Sequence, residues 1–467
     1  MPEQQTYLNQ IINEAKLASN PLQEQRAKKI IGELVRQVVN GNIRTTIKQL
    51  DAINDRIRKI DELITRQLNQ IMHHPKFQSL EASWRGLHYL VDKTETGEYL
   101  KIKVLNVSKK LLIEDLENAV EFGQFVLFKK VYREQFETYG RPPFGILIGD
   151  YEFTHLPEDM NLLEQIAKVG AAAHCPFISA ASSALFNWDS FTELRKQRGD
   201  LAQIFESIEY AQWRNFRKSP HARYVTLTLP HVLMRLPYGK ATKKVKAFNF
   251  EEDVTGKDHK KYLWGNSAYK LGTKLTQAFA KYNWCVAIRG PAGGGLVEDL
   301  PMHTFDSDEG GREVKCPTET AISGRREYEF TRLGFSALLH IQYPDYLNSA
   351  AFFSVPTLKE PECMQYMLLL SRFVHYLKSI ERDNVGRFVT KSQLENELNN
   401  WISGYVTTDE YASTEVKVEK PLKYAQIILE EIKGKPGKFQ SIVRLTPHFQ
   451  LGEITFSFRL VRKIIVY

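Results

Sequence analysis

The sequence predicts an α+β fold with a helical arm, a body built on a mixed sheet, and strands at the end of the chain. Residues 1–72 place apolar side chains at helical spacing and carry almost no strand pattern. After residue 73, short β-rich runs alternate with amphipathic helices, which indicates a mixed or partly parallel sheet. Residues 421–467 hold the alternating apolar and polar positions that are typical of strands.

These patterns divide the chain into four segments. They are the arm 1–72, the body 73–363, a helical region 364–420, and the terminal strands 421–467. The helical region begins with a strongly apolar helix, Met364–Asp383. It continues with Ser392–Val406, where Ser392 and Glu395 have the spacing of a capping box.

The sequence of the arm predicts helices that are separated by turns. The first spans about Thr6 to Ala18, and Asn20-Pro21 begins the second with Asn as its N-cap. The third repeats apolar residues at the a and d positions of heptads. Each helix has one apolar stripe, which must pack on the body, on another arm helix or on another chain. The apolar positions at which we expect partner contacts are Leu8, Ile11, Ile12, Ile53, Ile57, Ile60 and Ile64.

The stretch 73–91 joins the arm to the body. Pro75 lacks an N–H and disfavours helical geometry at the residue before it, so the arm's last helix should stop there. A new helix is expected from about Ser79, with Trp84 anchoring it in the core. Three histidines fall in this stretch, but their spacing matches no metal-binding motif, and no metal site is expected. They are His73, His74 and His88.

The body predicts strands and helices in alternation. The predicted strands are Tyr99–Val107, Phe144–Phe153, Pro176–Ser182, Trp284–Gly290 and Leu333–Ile341. The predicted helices are one capped by Ser108, then Phe125–Tyr139, Asn161–Ala173 and Tyr269–Tyr282. The terminal strands are Tyr424–Ile432, Phe439–Leu445 and Ile454–Val461. An alternating strand at a chain end can pair outside its own domain.

Composition limits the class of protein. The chain has 467 residues, 43% of them hydrophobic, and a net charge of +8, so a packed core is expected and global disorder is not. No apolar run has membrane-spanning length, and the N-terminus lacks the pattern of a secretory signal, so a cytoplasmic location is expected. The 4 cysteines form no CxxC pair, which favours buried free thiols over a zinc site or disulfides.

No motif for catalysis or cofactor binding stands out. Gly293, Gly294 and Gly295 form a glycine-rich loop, but no Gly-Lys-Ser/Thr or GxGxxG accompanies them, so a tight structural loop is expected. No nucleophile motif is present. We therefore expect no catalytic residues, no cofactor and no metal. Two alternatives remain. One is a hydrolase that uses the Asp299/His303 neighbourhood. The other is a nucleic-acid-binding protein that uses the excess of basic residues, although these residues are scattered along the sequence.

Long blocks of the sequence are similar to one known family. They include HHPKFQSLEASWRGLHYLVDKTETGE, FGILIGDYEF, AAAHCPFISAASSALF, AKYNWCVAIRGPAGGGLVEDLPMHTF, CPTETAISGRREYE and LTPHFQLGEITFSFRLV. In this order they resemble the large subunit of the type VI secretion contractile sheath, the TssC/VipB family. The resemblance covers nearly the whole chain, from about Tyr7 to Val461.

The resemblance implies a non-enzymatic assembly protein. Family members pair with a small sheath subunit and stack in helical rings around an inner tube, anchored through a baseplate. Contraction then propels the tube and its spike, and the C-terminal strands of one protomer form a sheet with N-terminal segments from its neighbours. By this resemblance, the inter-protomer strand residues would be Ile442, Val443, Leu445, Phe456, Phe458 and Leu460.

Two further expectations come from the resemblance. The helix at about Tyr7–Ala18 matches the segment that a hexameric AAA+ unfoldase recognises in some family systems. The helix Met364–Asp383 matches the region that faces the inner tube, with Arg372, Lys378 and Arg382 as candidate contacts. Binding of nucleic acid and insertion into a membrane are not expected.

Overall fold

The computed structural model describes most of the chain in ten ranges. These are residues 20–39, 49–136, 141–255, 258–306, 312–341, 348–360, 362–383, 390–431, 438–448 and 458–465. Some predicted features lie outside the described residues, namely the first helix with Leu8, Ile11 and Ile12, and Phe456. The chain divides into two compact units, Met1–His74 with Pro237–Lys257, and Pro75–Leu236 with Asp258–Tyr467.

Helices and strands alternate through the described residues, so the predicted α+β class is confirmed. The α-helices are α1 (Pro21–Val39), α2 (Gln49–Met72), α3 (Pro75–Asp92), α4 (Lys109–Asn118), α5 (Pro157–Ala173), α6 (Ala211–Lys218), α7 (Ala268–Tyr282), α8 (Gly324–Arg332), α9 (Met364–Asp383), α10 (Lys391–Ser403) and α11 (Thr414–Glu419). A further helical stretch runs through Val126–Phe128, the π-helical Lys129–Arg133, and Glu134–Phe136.

The strands complete the element list. They are β1 (Leu147–Phe153), β2 (Phe177–Ala181), β3 (Val225–Leu229), β4 (Val232–Leu233), β5 (Trp264–Gly265), β6 (Leu296–Val297), β7 (His303–Asp306), β8 (Arg312–Lys315), β9 (Phe335–His340), β10 (Ala350–Phe352), β11 (Leu422–Glu431), β12 (Lys438–Pro447) and β13 (Phe458–Ile465).

Helices α1 and α2 belong to the first unit. Asn20 caps α1 as predicted, because its Oδ1 accepts the Gln23 N–H at 2.9 Å. Helix α2 ends at Met72, so the predicted break before Pro75 is confirmed. The next helix begins at Pro75 itself and not near Ser79, because proline is well tolerated in the first turn of a helix.

The second unit is built on a mixed sheet with the order β1-β2-β3-β9-β10-β6 among the described residues. The pairs β1/β2, β2/β3 and β3/β9 are parallel, whereas β10 is antiparallel to both β9 and β6. Helix α5 connects β1 to β2, as the predicted strand–helix–strand pattern requires. The partly parallel sheet that the sequence predicts is therefore confirmed.

Apolar side chains cover both faces of this sheet. Neighbouring residues on a strand point to opposite faces, and Phe177 and Ile178 accordingly belong to different core clusters. The cluster around Phe177 is rich in aromatic rings, with Trp213 stacked on Phe335 at a centroid distance of 5.5 Å. The cluster around Ile178 extends through α9 and α10 to the C-terminal strands.

The C-terminal strands form an antiparallel sheet with the order β11-β12-β13. Strand β12 lies in the middle, where Val443 is opposite Ile427 on β11 and Leu460 on β13. All of the predicted terminal strands are present, with bounds shifted by a few residues. The structure describes the last strand from Phe458, which is later than the predicted start at Ile454.

Two predicted strands are wrong. Tyr99–Val107 alternates like a strand but forms no strand in the structure, and Tyr99 is 83% exposed. Trp284–Gly290 is buried in part but is likewise irregular, and Gly290 takes a positive φ of 66°. Alternation reports which side chains face the core, whereas a strand also needs a neighbour to pair with.

The predicted cap of α10 is also wrong. Thr390, and not Ser392, is the N-cap, and it forms a capping box with Gln393. Two Ser/Thr–x–x–Glu/Gln patterns overlap here, and the earlier one begins the helix. Glu395 is consequently free of a capping role, and its carboxylate bonds to the backbone of β11 instead.

Candidate interaction surfaces

One face of α2 is an exposed apolar stripe. Ile53, Ile57, Ile60 and Ile64 are exposed by 48%, 49%, 52% and 41%. These are the heptad positions at which the sequence predicts partner contacts. Isolated exposed apolar residues are ordinary, but a continuous row along a helix marks a surface on which another chain can pack.

The polar side of α2 contacts the loop that completes the first unit. The Asp61 carboxylate accepts hydrogen bonds from the backbone and side-chain amides of Asn249, both at 3.4 Å. The Asn69 side chain donates to Glu251 O at 3.2 Å and accepts from Asp253 N–H at 2.9 Å. Helix α2 thus turns polar residues toward its own chain and leaves apolar residues outward, the reverse of an ordinary surface helix.

Helix α3 packs on its own unit through small residues. Ala82 and Gly86 are buried, and a Cβ on Gly86 would lie 2.3 Å from the Tyr269 ring of α7. Glu81 also holds α3 to its own unit, because its carboxylate accepts from Arg235 Nε at 2.7 Å, and Arg85 Nε of the same helix donates to it at 2.8 Å. The missing side chain at Gly86 allows α3 to approach α7 closely.

The large apolar residues of α3 point the other way. Phe77, Leu80, Trp84 and Val91 are exposed by 39%, 56%, 65% and 47%. The prediction that Trp84 anchors this helix in the core is therefore wrong. Helical periodicity identifies an apolar face but not its direction, and here the small face provides the close fit. These outward-facing residues of α3 form a second apolar stripe, and the sequence patterns did not predict it as a contact surface.

Strand β12 contributes its side chains to the chain's own core. Ile442, Val443 and Leu445 are exposed by only 2%, 1% and 2%. Leu460 and Phe458 on β13 lie opposite Val443 and Leu445 in the register. Because β12 is already paired on both sides, contact with another chain at this sheet would use the backbone of an outer strand.

Helix α9 is buried over most of its described length, and Arg372 and Lys378 contact aromatic rings of the same chain. The Arg372 guanidinium lies 4.7 Å from the Tyr376 ring centre and donates to its hydroxyl at 2.9 Å. Lys378 Nζ lies 4.0 Å from the centre of the Phe136 ring. Both side chains are partly buried, and Arg382 belongs to the last turn of the same helix.

A charged cluster lies at the carboxyl ends of β1 and β3. His231 Nδ1 is 2.5 Å from Glu319 Oε2, and its Nε2 is 2.7 Å from Glu152 Oε1. Glu319 also accepts from Ser190 Oγ at 2.8 Å, and His259 Nε2 lies 3.5 Å from it. The residues come from distant parts of the sequence, so no local pattern could have identified them.

The charges of this cluster hold one another in their ionised forms. Burial alone would lower the pKa of His231, but the two carboxylates raise that pKa to about 10. Burial alone would raise the pKa of Glu319, but hydrogen bonds from His231, His259 and Ser190 hold it far below its usual range. His231 is therefore an imidazolium at neutral pH, and it bridges two carboxylates as a structural clamp.

The other candidate sites make structural contacts. His303 Nδ1 is 2.9 Å from the Tyr262 hydroxyl, and Asp299 takes a positive φ of 56° in a loop. A Cβ on Gly295 would lie 2.5 Å from Phe352 O, so the glycine-rich loop serves close backbone packing. In the described part of the chain, no group of three or more His, Cys, Asp or Glu side chains could hold a metal ion.

Two family models match the chain and together cover most of it. Residues 54–359 match the VipB (EvpB) tail sheath N-terminal domain, and residues 361–464 match the tail sheath gpW/gp25-like domain. The type VI secretion system sheath protein TssC1 of Pseudomonas aeruginosa is 43% identical over 480 aligned positions, covering 96% of this chain and 95% of that protein. No helix in the described ranges has the length and apolar character needed to cross a membrane.

A mixed-sheet body whose helices carry rows of exposed large apolar residues is typical of proteins that pack against other chains. The chain belongs to the TssC/VipB family of type VI secretion sheath proteins, as its sequence blocks predict.

Proposed function

We propose that this chain is the large subunit of a contractile sheath, which pairs with a small sheath subunit and polymerises with its copies around an inner tube. The observation that carries this proposal is the orientation of α2 and α3. Each turns polar or small residues to its own unit and leaves a row of large apolar residues outward. A protein that acts alone would gain nothing from either stripe, whereas burial of each stripe against other sheath chains would stabilise an assembly.

Family membership supports the remaining parts of the proposal. Contraction of the cytoplasmic sheath, anchored through a baseplate, would propel the tube and spike to deliver effectors. Arg372, Lys378 and Arg382 of α9 are the proposed tube contacts, and a AAA+ unfoldase would recognise the segment at residues 7–18. Sharing of strands at the C-terminal sheet would keep protomers connected while their bodies rotate.

The stripe on α2 can be tested with Ile57→Asp. Ile57 is 49% exposed, so the change should leave the unfolding temperature of the isolated chain unaltered. Burying the new carboxylate in an apolar contact is unfavourable, and co-purification of the small subunit should fall by about tenfold or more. Gln70→Asp adds the same charge to α2 outside the stripe and should retain the small subunit. Equal yields from the two variants would contradict the role of the stripe.

The stripe on α3 gives an independent test through Trp84→Asp. The indole is 65% exposed, so its loss should not affect folding, but it is the largest apolar group in the stripe. Buried aromatic side chains dominate binding energy at many interfaces, so sheath assembly should be lost. The measurement is the amount of sedimenting polymer, with Ser79→Asp, an exposed polar position of α3, as the control. Normal polymer yield with Trp84→Asp would exclude this stripe from the assembly contacts.

A further inference from the structure

The central sheet of the second unit has an open edge at β1. Among the described strands, β1 lies at one end of the sheet and pairs with β2 alone. Ser179 Oγ of β2 donates to Gly149 O at 2.9 Å and to Tyr151 O at 2.7 Å, so these residues direct their backbone groups to β2. Neighbouring residues of a strand bond to opposite sides, so the groups of Ile148 and Asp150 point outward. Within the described residues, these outward groups have no backbone partner.

Residues 99–107 run beside this edge without pairing to it. In the middle of the segment, Lys103 Nζ lies 5.1 Å from the centre of the Phe144 ring. At the end of the segment, Val107 O accepts a hydrogen bond from the Tyr151 hydroxyl at 2.8 Å. The two contacts follow the same order along both stretches of chain, so the segment runs parallel to β1.

Side chains bridge the space between the segment and β1. Lys109 Nζ, just after the segment, donates to Glu152 O at 2.7 Å, which adds a third bridge of this kind. Paired strands lie about 4.8 Å apart and bond through their backbones. In contrast, no N–H of residues 101–106 forms a backbone–backbone hydrogen bond in the described structure. Two rows of unpaired backbone groups therefore lie near each other, one on β1 and one on the segment.

The side chains of the segment indicate what could fill this space. Val104 and Leu105 are exposed by 65% and 48%, which is unusual for apolar residues in a well-packed unit. Lys101 and Lys103 share one face of the segment and are exposed, whereas Ile102 and Val104 lie on the opposite face. A strand that alternates apolar and acidic residues would cover the apolar side chains and pair with the lysines.

We propose that an extended segment of the small sheath subunit inserts at the outer edge of β1 and pairs with β1 and with residues 99–107. The small subunit fits this role better than a second copy of the chain. Contraction changes the contacts between copies, whereas a strand next to the fully buried Phe153 of β1 has to stay in place. This inference rests on the heterodimer of the proposed function and adds the site and the chemistry of the contact.

The pattern of residues 99–107 then has a physical explanation. Their alternation is typical of a strand, yet the chain alone supplies no partner for them. In the heterodimer, the inserted segment would supply that partner, and the free N–H and C=O groups on both sides would become bonded.

Hydrogen exchange gives the first test. The amides of Ile148, Asp150 and residues 101–106 should exchange at least about tenfold more slowly in the complex with the small subunit than in the chain alone. The Leu147 amide, which donates to Pro176 O at 2.8 Å, is the internal control and should be protected in both states. Protection of the Ile148 and Asp150 amides in the chain alone would identify a second copy as the occupant and would overturn the inference.

Proline substitution tests the backbone contact in a second way. Val104→Pro and Leu105→Pro each remove an N–H that forms no backbone hydrogen bond in the chain, so the unfolding temperature should not change. Proline cannot donate to a strand ladder, so at least one of the two variants should retain about tenfold less small subunit. Val104→Ala and Leu105→Ala keep the N–H groups and should retain more. Equal retention by the proline and alanine variants would overturn the inference.

The outcomes separate this inference from the proposed function. A stable complex in which the Ile148 and Asp150 amides exchange as in the free chain would overturn the inference alone. Failure of the native chain to bind the small subunit would contradict both the proposed function and the inference.

Discussion

The chain with His231→Ala should be less stable than the native chain by about 3 kcal/mol, because removing one member of a buried ion pair leaves the other charge uncompensated. His231 is only 18% exposed and bridges Glu152 and Glu319, so its loss removes the cation that lies between the two carboxylates. Urea unfolding of the isolated chain measures the difference. His88→Ala removes an exposed histidine and should be neutral.

The pH dependence of this difference identifies its cause. The pKa of His231 rises from 6.5 in the unfolded chain to about 10, so its stabilisation is full below about pH 6.5 and is lost toward pH 10. The pKa of Glu319 is lowered from 4.5, so its stabilisation is present above that pH and is lost in acid. The gap between native chain and variant should be widest between about pH 4.5 and 6.5 and should narrow as the pH rises to 10. A constant gap would indicate lost packing and not a lost charge.

Removal of residues 454–467 should abolish sheath formation and leave a folded body. The deletion takes away β13, an outer strand of the C-terminal sheet at which the proposed sharing of strands can take place, while β11 and β12 keep their mutual ladder. Backbone hydrogen bonds shared between chains are lost together, so the expected result is absence of polymer and not a lower yield.

The control for this deletion is a Gly/Ser segment of equal length in place of residues 454–467. It preserves chain length but lacks the alternating apolar residues of a strand, and it should also fail to assemble. Cooperative unfolding of both variants shows that the body folds. Normal sheath from either variant would contradict the role of β13.

Sequence periodicity predicted the positions of the helices and strands along the chain better than it predicted which face of each helix packs against the core. The heptads of α2 predicted an apolar stripe that includes Ile53 and Ile57, and the structure leaves both residues exposed. The same reasoning placed Trp84 inside, although the indole is exposed, because large apolar residues usually face the core. The signal for the true packing side was the pair of small residues, Ala82 and Gly86, which allow close contact with α7.

Features that depend on contacts distant in the sequence were not predictable. The clamp around His231 joins residues from β1, from the end of β3 and from a loop before α8, and no spacing rule links them. The contact of Asn399 with Ile427 likewise requires the position of α10 beside β11. The segment Tyr99–Val107 has a clear alternating pattern but forms no strand, because no strand pairs with it in the described structure.

This chain is expected to polymerise with a small sheath subunit. Electron microscopy of the two proteins after co-expression tests it most directly. Long hollow cylinders are expected from the native pair, and none when this chain carries Trp84→Asp. Both proteins would first be shown to be folded in each buffer. The presence of only soluble heterodimers or free monomers, with no cylinders at any salt concentration, would contradict this expectation.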